Sequence, residues 1–127
     1  MEIANWNGSV MALKSEKVFL EATIGNLHEA MERGELTCES LVQMYLERIE
    51  RFDPQLNAVI QVNPHALEQA RALDEAFKRS GLTGPLHGIP VLVKDNVDTH
   101  FMPTTAGSKA LAQVTPDEDG WIVRQLQ

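Results

Sequence analysis

After residue 80 the texture of the chain changes abruptly. Gly81, Gly84, Pro85, Gly88 and Pro90 crowd a short stretch that leads straight into Val91-Leu92-Val93 and then Lys94-Asp95-Asn96. Glycine and proline at that density punctuate the chain, and an apolar run so bracketed reads as a strand. Because the run is apolar at consecutive positions, it predicts a strand covered on both faces; a half-exposed strand would alternate. With helical patterns before it, the expected fold class is α/β.

Those helical patterns are three. From Thr23, a residue type that caps helices, Ile24, Leu27 and Met31 recur at helical spacing until Gly34, which suits the left-handed position after a helix. Thr37 opens a second helix with the apolar face Leu41, Val42, Tyr45, Leu46, Ile49 and Phe52, and Glu47 and Arg51 are spaced for an i,i+4 pair; Asp53-Pro54 is expected to stop it. A third helix is expected from Pro64 to about Ser80, with Asn63 as its cap, one face made of Ala66, Leu67, Ala70, Leu73, Ala76 and Phe77, and Gly81 as its end. Between the last two, Leu56 to Val62 reads as a short strand. Met102 to Ser108 reads as a loop, and Thr115-Pro116-Asp117-Glu118-Asp119 as the opening of a last helix. Gly120 should weaken that helix by roughly 1 kcal/mol relative to alanine. Residues 1–22 show no clean period and are expected to form an irregular arm with one helical turn at most.

Composition closes off several functions. Eleven basic against eighteen acidic residues give a formal charge of -7, and no basic stripe offsets it, so nucleic acid is not an expected partner. No stretch approaches the roughly 18 apolar residues of a membrane span, and no leader is apparent, so no membrane partner is expected and the default location is cytoplasmic. The single cysteine, Cys38, fits a reducing compartment. His28, His65, His87 and His100 lack metal-ligand spacing, and the glycines do not form a phosphate-binding loop. His87, before Gly88, reads as a hydrogen-bonding turn residue.

What remains is Lys94. A lysine at the carboxyl end of a buried strand is an unusual place for a hydrated ammonium group. One reading is an ion pair with Asp95, or a side chain that reaches out to solvent. The other is a proton carrier, because desolvation lowers a lysine pKa from roughly 10.4 toward neutrality and makes the amine a usable base.

The residues around it extend the second reading. Gly84-Pro85-Leu86-His87-Gly88-Ile89-Pro90-Val91-Leu92-Val93-Lys94-Asp95-Asn96-Val97-Asp98-Thr99, continued by Met102 to Leu111, closely resembles the amino-terminal signature of the amidase signature family. The resemblance reaches back through Gly34-Glu35-Leu36-Thr37, Arg48-Ile49, Leu56-Asn57-Ala58-Val59 and Asn63-Pro64, and covers roughly residues 23 to 126. It implies a mixed twisted sheet wrapped by helices, incomplete in this chain, with residues 1–22 as an arm and 23–127 as the amino-terminal part of an amidase domain. It also implies a Ser-Ser-Lys triad, in which Lys94 takes the lysine position and acts through a relay serine on a nucleophilic serine. Asp95, Thr104, Thr105 and Ser108 are second-rank candidates, the hydroxyls of the 104–108 stretch being placed to help orient Lys94 and Asp95; a plain turn shaped by Gly107 and the threonines is the rival reading.

The implied activity is hydrolysis of a linear amide, small-molecule or peptide, through an acyl-enzyme, with no metal or organic cofactor. Both family serines are expected several tens of residues beyond the lysine, in a Gly/Ser-rich stretch that this sequence lacks; Ser108 is the only serine after Lys94 and belongs to another motif. The chain by itself is therefore expected to be inactive and either loosely packed or prone to aggregate, its partner being the missing carboxyl-terminal portion or another subunit. Two other readings stand beside it: a helical adaptor that binds a different protein chain, and the A-type subunit of an amidotransferase, which shares the fold and the lysine.

Overall fold

The computed structural model describes residues 21–127, which fall into two compact units divided between Leu36 and Thr37. The expected arm lies almost wholly outside the described residues.

The first unit holds helix α1, Ile24–Glu32. Thr23 caps it as expected, its hydroxyl accepting from the Asn26 amide at 3.2 Å. At the other end the Glu35 amide reaches back to the Ala30 carbonyl at 2.9 Å and the Gly34 amide to Met31 at 3.0 Å. That pair is the Schellman arrangement, which requires a left-handed residue at Gly34, where φ is +69°. Leu27, Ala30 and Met31 are buried, whereas Ile24, the first apolar position of the expected face, is exposed.

In the second unit, helix α2 spans Cys38–Leu56 and helix α3 spans Ala66–Ser80. The two pack against each other, with Leu41 and Cys38 of α2 and Ala70 of α3 buried. Every free amide at the start of α2 finds an acceptor. The Thr37 amide donates to Ser40 Oγ at 3.0 Å and the Ser40 amide to Thr37 Oγ1 at 3.0 Å, which is a capping box with serine in the third position. The Cys38 and Glu39 amides donate to the Asp74 carboxylate of α3, at 2.7 and 3.0 Å. One carboxylate thus fastens the two helices together at the positive end of the α2 dipole.

Several expectations need correction. Helix α2 does not stop at Asp53-Pro54 but runs to Leu56 with Pro54 in its last turn. It ends instead at Asn57, left-handed at φ 51°, and the Asp53 side chain accepts the Ala58 and Val59 amides at 2.8 and 3.0 Å. Those amides are the donors a strand ladder would need, so Leu56 to Val62 forms no strand. Glu47 accepts from Gln43 Nε2 at 2.9 Å, and the Arg51 guanidinium lies over the Phe52 ring, in place of the expected Glu47–Arg51 pair. Asn63 Oδ1 takes the His65 amide at 2.9 Å, which bends residues 63 to 65 into a turn and delays α3 to Ala66.

The largest correction concerns the sheet. The described residues contain no strand; the only β pairing among them is an isolated bridge between Thr99 and Met102. Val91, Leu92 and Val93 belong to no strand and are 47%, 81% and 38% exposed. A strand exists only when a second edge satisfies its amides and carbonyls, and no described segment offers one. The described chain is accordingly helical, with a short 3-10 turn at Lys109–Leu111 and a final helix α4 at Trp121–Leu126. The acids at 117–119 precede α4 and do not form its first turn. Gly120 is its cap, with its amide on the Asp98 carbonyl at 2.9 Å, and so does not weaken a helix interior.

Candidate active site around Lys94

After α3, Gly81 at φ +71° turns the chain into the Gly/Pro stretch. His87 is buried there, with Nδ1 2.8 Å from Thr83 Oγ1 and its ring 5.9 Å from Phe77, in keeping with a hydrogen-bonding turn residue. This loop delivers the chain to the run 91–94, which has no regular secondary structure. Lys94 sits at the end of that run, and its side chain is exposed, against the expectation of burial. Its backbone is fixed, because the Lys94 carbonyl accepts the Val97 amide at 2.9 Å and closes a tight turn.

Asp95 is the anchor of the region. Its carboxylate accepts from the Thr105 hydroxyl in a short hydrogen bond, from the Thr105 amide at 3.2 Å and from the Gly107 amide at 3.2 Å. Its backbone carbonyl accepts the Ala106 amide at 2.8 Å. The loop bends to meet it: Ala106 and Gly107 both have positive φ, 49° and 75°, so that three successive amides all face Asp95. The Thr105 hydroxyl bond, seconded by the Thr105 and Gly107 amides, holds the Asp95 carboxyl below the usual carboxylate range, against a smaller opposing effect of desolvation.

The structure thus joins Asp95 to Thr105, two of the four second-rank candidates. Thr104 sits beside them, its amide on the Val114 carbonyl at 3.0 Å and its buried hydroxyl without a hydrogen-bond partner. Ser108 is exposed and donates its amide to the Thr105 carbonyl at 2.8 Å, a role in the turn that uses no side-chain chemistry. Sequence reasoning assigns no role to a neighbouring cluster. Asp119 accepts the His100 amide at 2.9 Å and lies 2.9 Å from His100 Nδ1, while Gln127 donates to it at 3.2 Å. The His100 amide, first among these, lowers the Asp119 pKa. Nothing in the local pattern pairs residues nineteen apart in a loop, so only the folded chain reveals this tie. Among the described residues, no three His, Cys, Asp or Glu side chains are grouped so as to hold a metal ion.

Comparison with known proteins bears on this geometry. The family model described as Amidase matches residues 40–127, a span that includes Lys94, Asp95 and the 104–108 loop. A relative from Schizosaccharomyces pombe, named as a putative amidase, is 42% identical over 116 residues, which is 90% of this chain and 20% of that protein. The A-type subunit of the glutamyl-tRNA(Gln) amidotransferase from Exiguobacterium sibiricum is 40% identical over 106 residues, covering 84% of this chain and 22% of the relative. Among solved structures, the native peptide amidase from Stenotrophomonas maltophilia superposes with a TM-score of 0.81 at 43% identity, over 85% of this chain and 23% of that one. The chain therefore spans about a fifth of the length of the curated relatives it matches.

Proposed function

Since the chain belongs to the amidase family, we propose that it is the amino-terminal part of a hydrolase of linear carbon–nitrogen amide bonds in which Lys94 carries the proton. The observation that supports this most is positional: the 43% identical peptide amidase shares the fold of this chain over 85% of its length. In this reading residues 1–22 are an arm and 23–127 the amino-terminal share of the amidase domain. The cytosol, which a lone cysteine suits, is the expected location.

The chemistry follows from what a lysine can do. A neutral amine accepts, through a relay serine, the proton of the serine hydroxyl that attacks the amide carbonyl. The resulting ammonium returns a proton to the departing amine as the carbon–nitrogen bond breaks. Water then cleaves the acyl ester, with the same group as base and then acid. Removal of water disfavours the ammonium form of an amine, so the role requires Lys94 to be desolvated. The exposed apolar run Val91–Val93 supports the inference that further polypeptide of family length covers both the run and the amine. Both serines and the amides that stabilise the oxyanion would come from that polypeptide, and with them the pocket for the substrate, small-molecule or peptide.

The test is a chimera in which residues 1–127 replace the matched segment of the Stenotrophomonas maltophilia peptide amidase. Hydrolysis of a peptide amide, abolished by Lys94→Ala in a chimera that still melts cooperatively, is the expected result. Full turnover by Lys94→Ala would sink the proposal. The 40% identity to the A-type subunit of an amidotransferase keeps a second reading open: activity only with further subunits and charged transfer RNA would favour it.

A further inference from the structure

Four hydrogen bonds converge on Asp95, the residue immediately after Lys94, and all come from residues 105–107. Three end on its carboxylate and one on its backbone carbonyl. With Val97 held on the Lys94 carbonyl, the backbone on the carboxyl side of the lysine is fixed to the chain twice over. The bonds are also specific in kind. Thr105 donates from both its hydroxyl and its amide, and its hydroxyl in turn accepts the Gly107 amide at 3.0 Å, so that Thr105 is buried as the centre of the arrangement. The loop adopts a left-handed conformation at Ala106, a non-glycine residue, in order to present these donors.

From this arrangement we infer that Asp95 is a positioning residue for Lys94, acting through a clamp with Thr105 and Gly107 that fixes the direction in which the lysine leaves the backbone. The inference rests on the proton-carrying role of Lys94 proposed above. It deepens that role, because a base must be held in line with its partner hydroxyl, and displacement by about 1 Å costs on the order of 100-fold in rate. The clamp is where the chain spends bonds to prevent such displacement.

The chimera containing the full 127-residue chain supplies the test, with Thr105→Val, Thr105→Ser and Asp95→Ala each assayed for kcat, KM and melting temperature. Thr105→Val removes the hydroxyl without changing the shape much, and is expected to lower kcat about 10- to 100-fold with KM within about twofold. Thr105→Ser, which keeps the hydroxyl, is expected to recover most of the rate. Asp95→Ala should be at least as slow as Thr105→Val; if it does not fold, the two threonine variants decide the matter. A kcat within about twofold of the parent in folded Thr105→Val, or a loss confined to KM, overturns the inference. So does a Thr105→Ser enzyme as slow as Thr105→Val. Lys94→Ala separates the two claims: loss of turnover there with Thr105→Val at full rate removes Asp95 alone, whereas turnover that survives Lys94→Ala removes the proton-carrying role and the positioning role with it.

Discussion

The Asp74 carboxylate offers the sharpest test of how the helical part is held together. It accepts the Cys38 and Glu39 amides at 2.7 and 3.0 Å, and neither amide has a partner within its own helix. In Asp74→Ala both donors lose a charged acceptor. The Glu39 amide can turn to water, but Cys38 is only 1% exposed and its amide cannot readily do so. A hydrogen bond to a charged group contributes roughly 1.5–3 kcal/mol, and some of that is returned because Asp74 is no longer half-buried. A net loss of about 2 kcal/mol for opening the start of α2 is expected, which corresponds to roughly 30-fold faster local opening. Amide exchange at Cys38 and Glu39 in the chimera reads that opening directly. The thiol gives a second reading: its pKa is pushed up to about 12, first by burial and then by the Asp74 bond and charge, so it reacts only through opened forms and its labelling rate should rise with exchange. Arg71→Ala is the control, since the Arg71–Glu39 pair at 2.7 Å is 62% and 42% exposed and should contribute well under 1 kcal/mol. A change of less than threefold at both amides in Asp74→Ala, or an equal effect of Arg71→Ala, would refute the reasoning.

Three further outcomes follow from the same structure. Ala106→Gly removes a side chain from a left-handed position and should raise the melting temperature, by an amount worth about 0.5–1 kcal/mol after the added freedom of the unfolded chain is counted; a lower melting temperature would contradict the left-handed assignment. Asp95 and Asp119 have folded pKa values below their unfolded ones, so the stability they confer is complete above the ordinary carboxylate pKa of roughly 3.9 and is lost as pH falls through the folded values. Amide chemical shifts of Thr105 and Gly107 should therefore hold steady down to about pH 4 and move below it; movement of those shifts between pH 5 and 8 alone would count against the Asp95 tie. The 127-residue chain on its own should self-associate through its exposed apolar run, and Leu92→Lys should reduce that association in analytical ultracentrifugation, because Leu92 is 81% exposed.

How far the sequence can be read depends on how far apart the interacting residues lie. The start of α1 at Thr23, its end at Gly34 and the capping threonine of α2 involve bonds within five residues, and local chemistry announces each of them. The end of α2 escapes such a reading because proline is expected to break a helix. In a last turn its missing amide costs little if the next amides are met, and the Asp53 side chain meets them. The Asp74 cap and the His100–Asp119 tie join residues 36 and 19 positions apart, and no periodicity encodes such pairs.

The run Val91–Val93 marks the boundary of what local pattern can say. Its composition specifies a strand covered on both faces, yet residues 91–94 adopt no regular secondary structure. A sheet is a property of two edges, and the second edge cannot be written into the first. The exposure of these residues and of Lys94 beside them has one physical origin, the lack of a neighbour against the run among the described residues. The same covering chain that pairs the backbone would take water away from the amine. On the proton-carrying role proposed for Lys94, strand formation and desolvation of the amine would be a single event: a partner that pairs with Val91–Val93 while leaving Lys94 hydrated would separate them and count against that role.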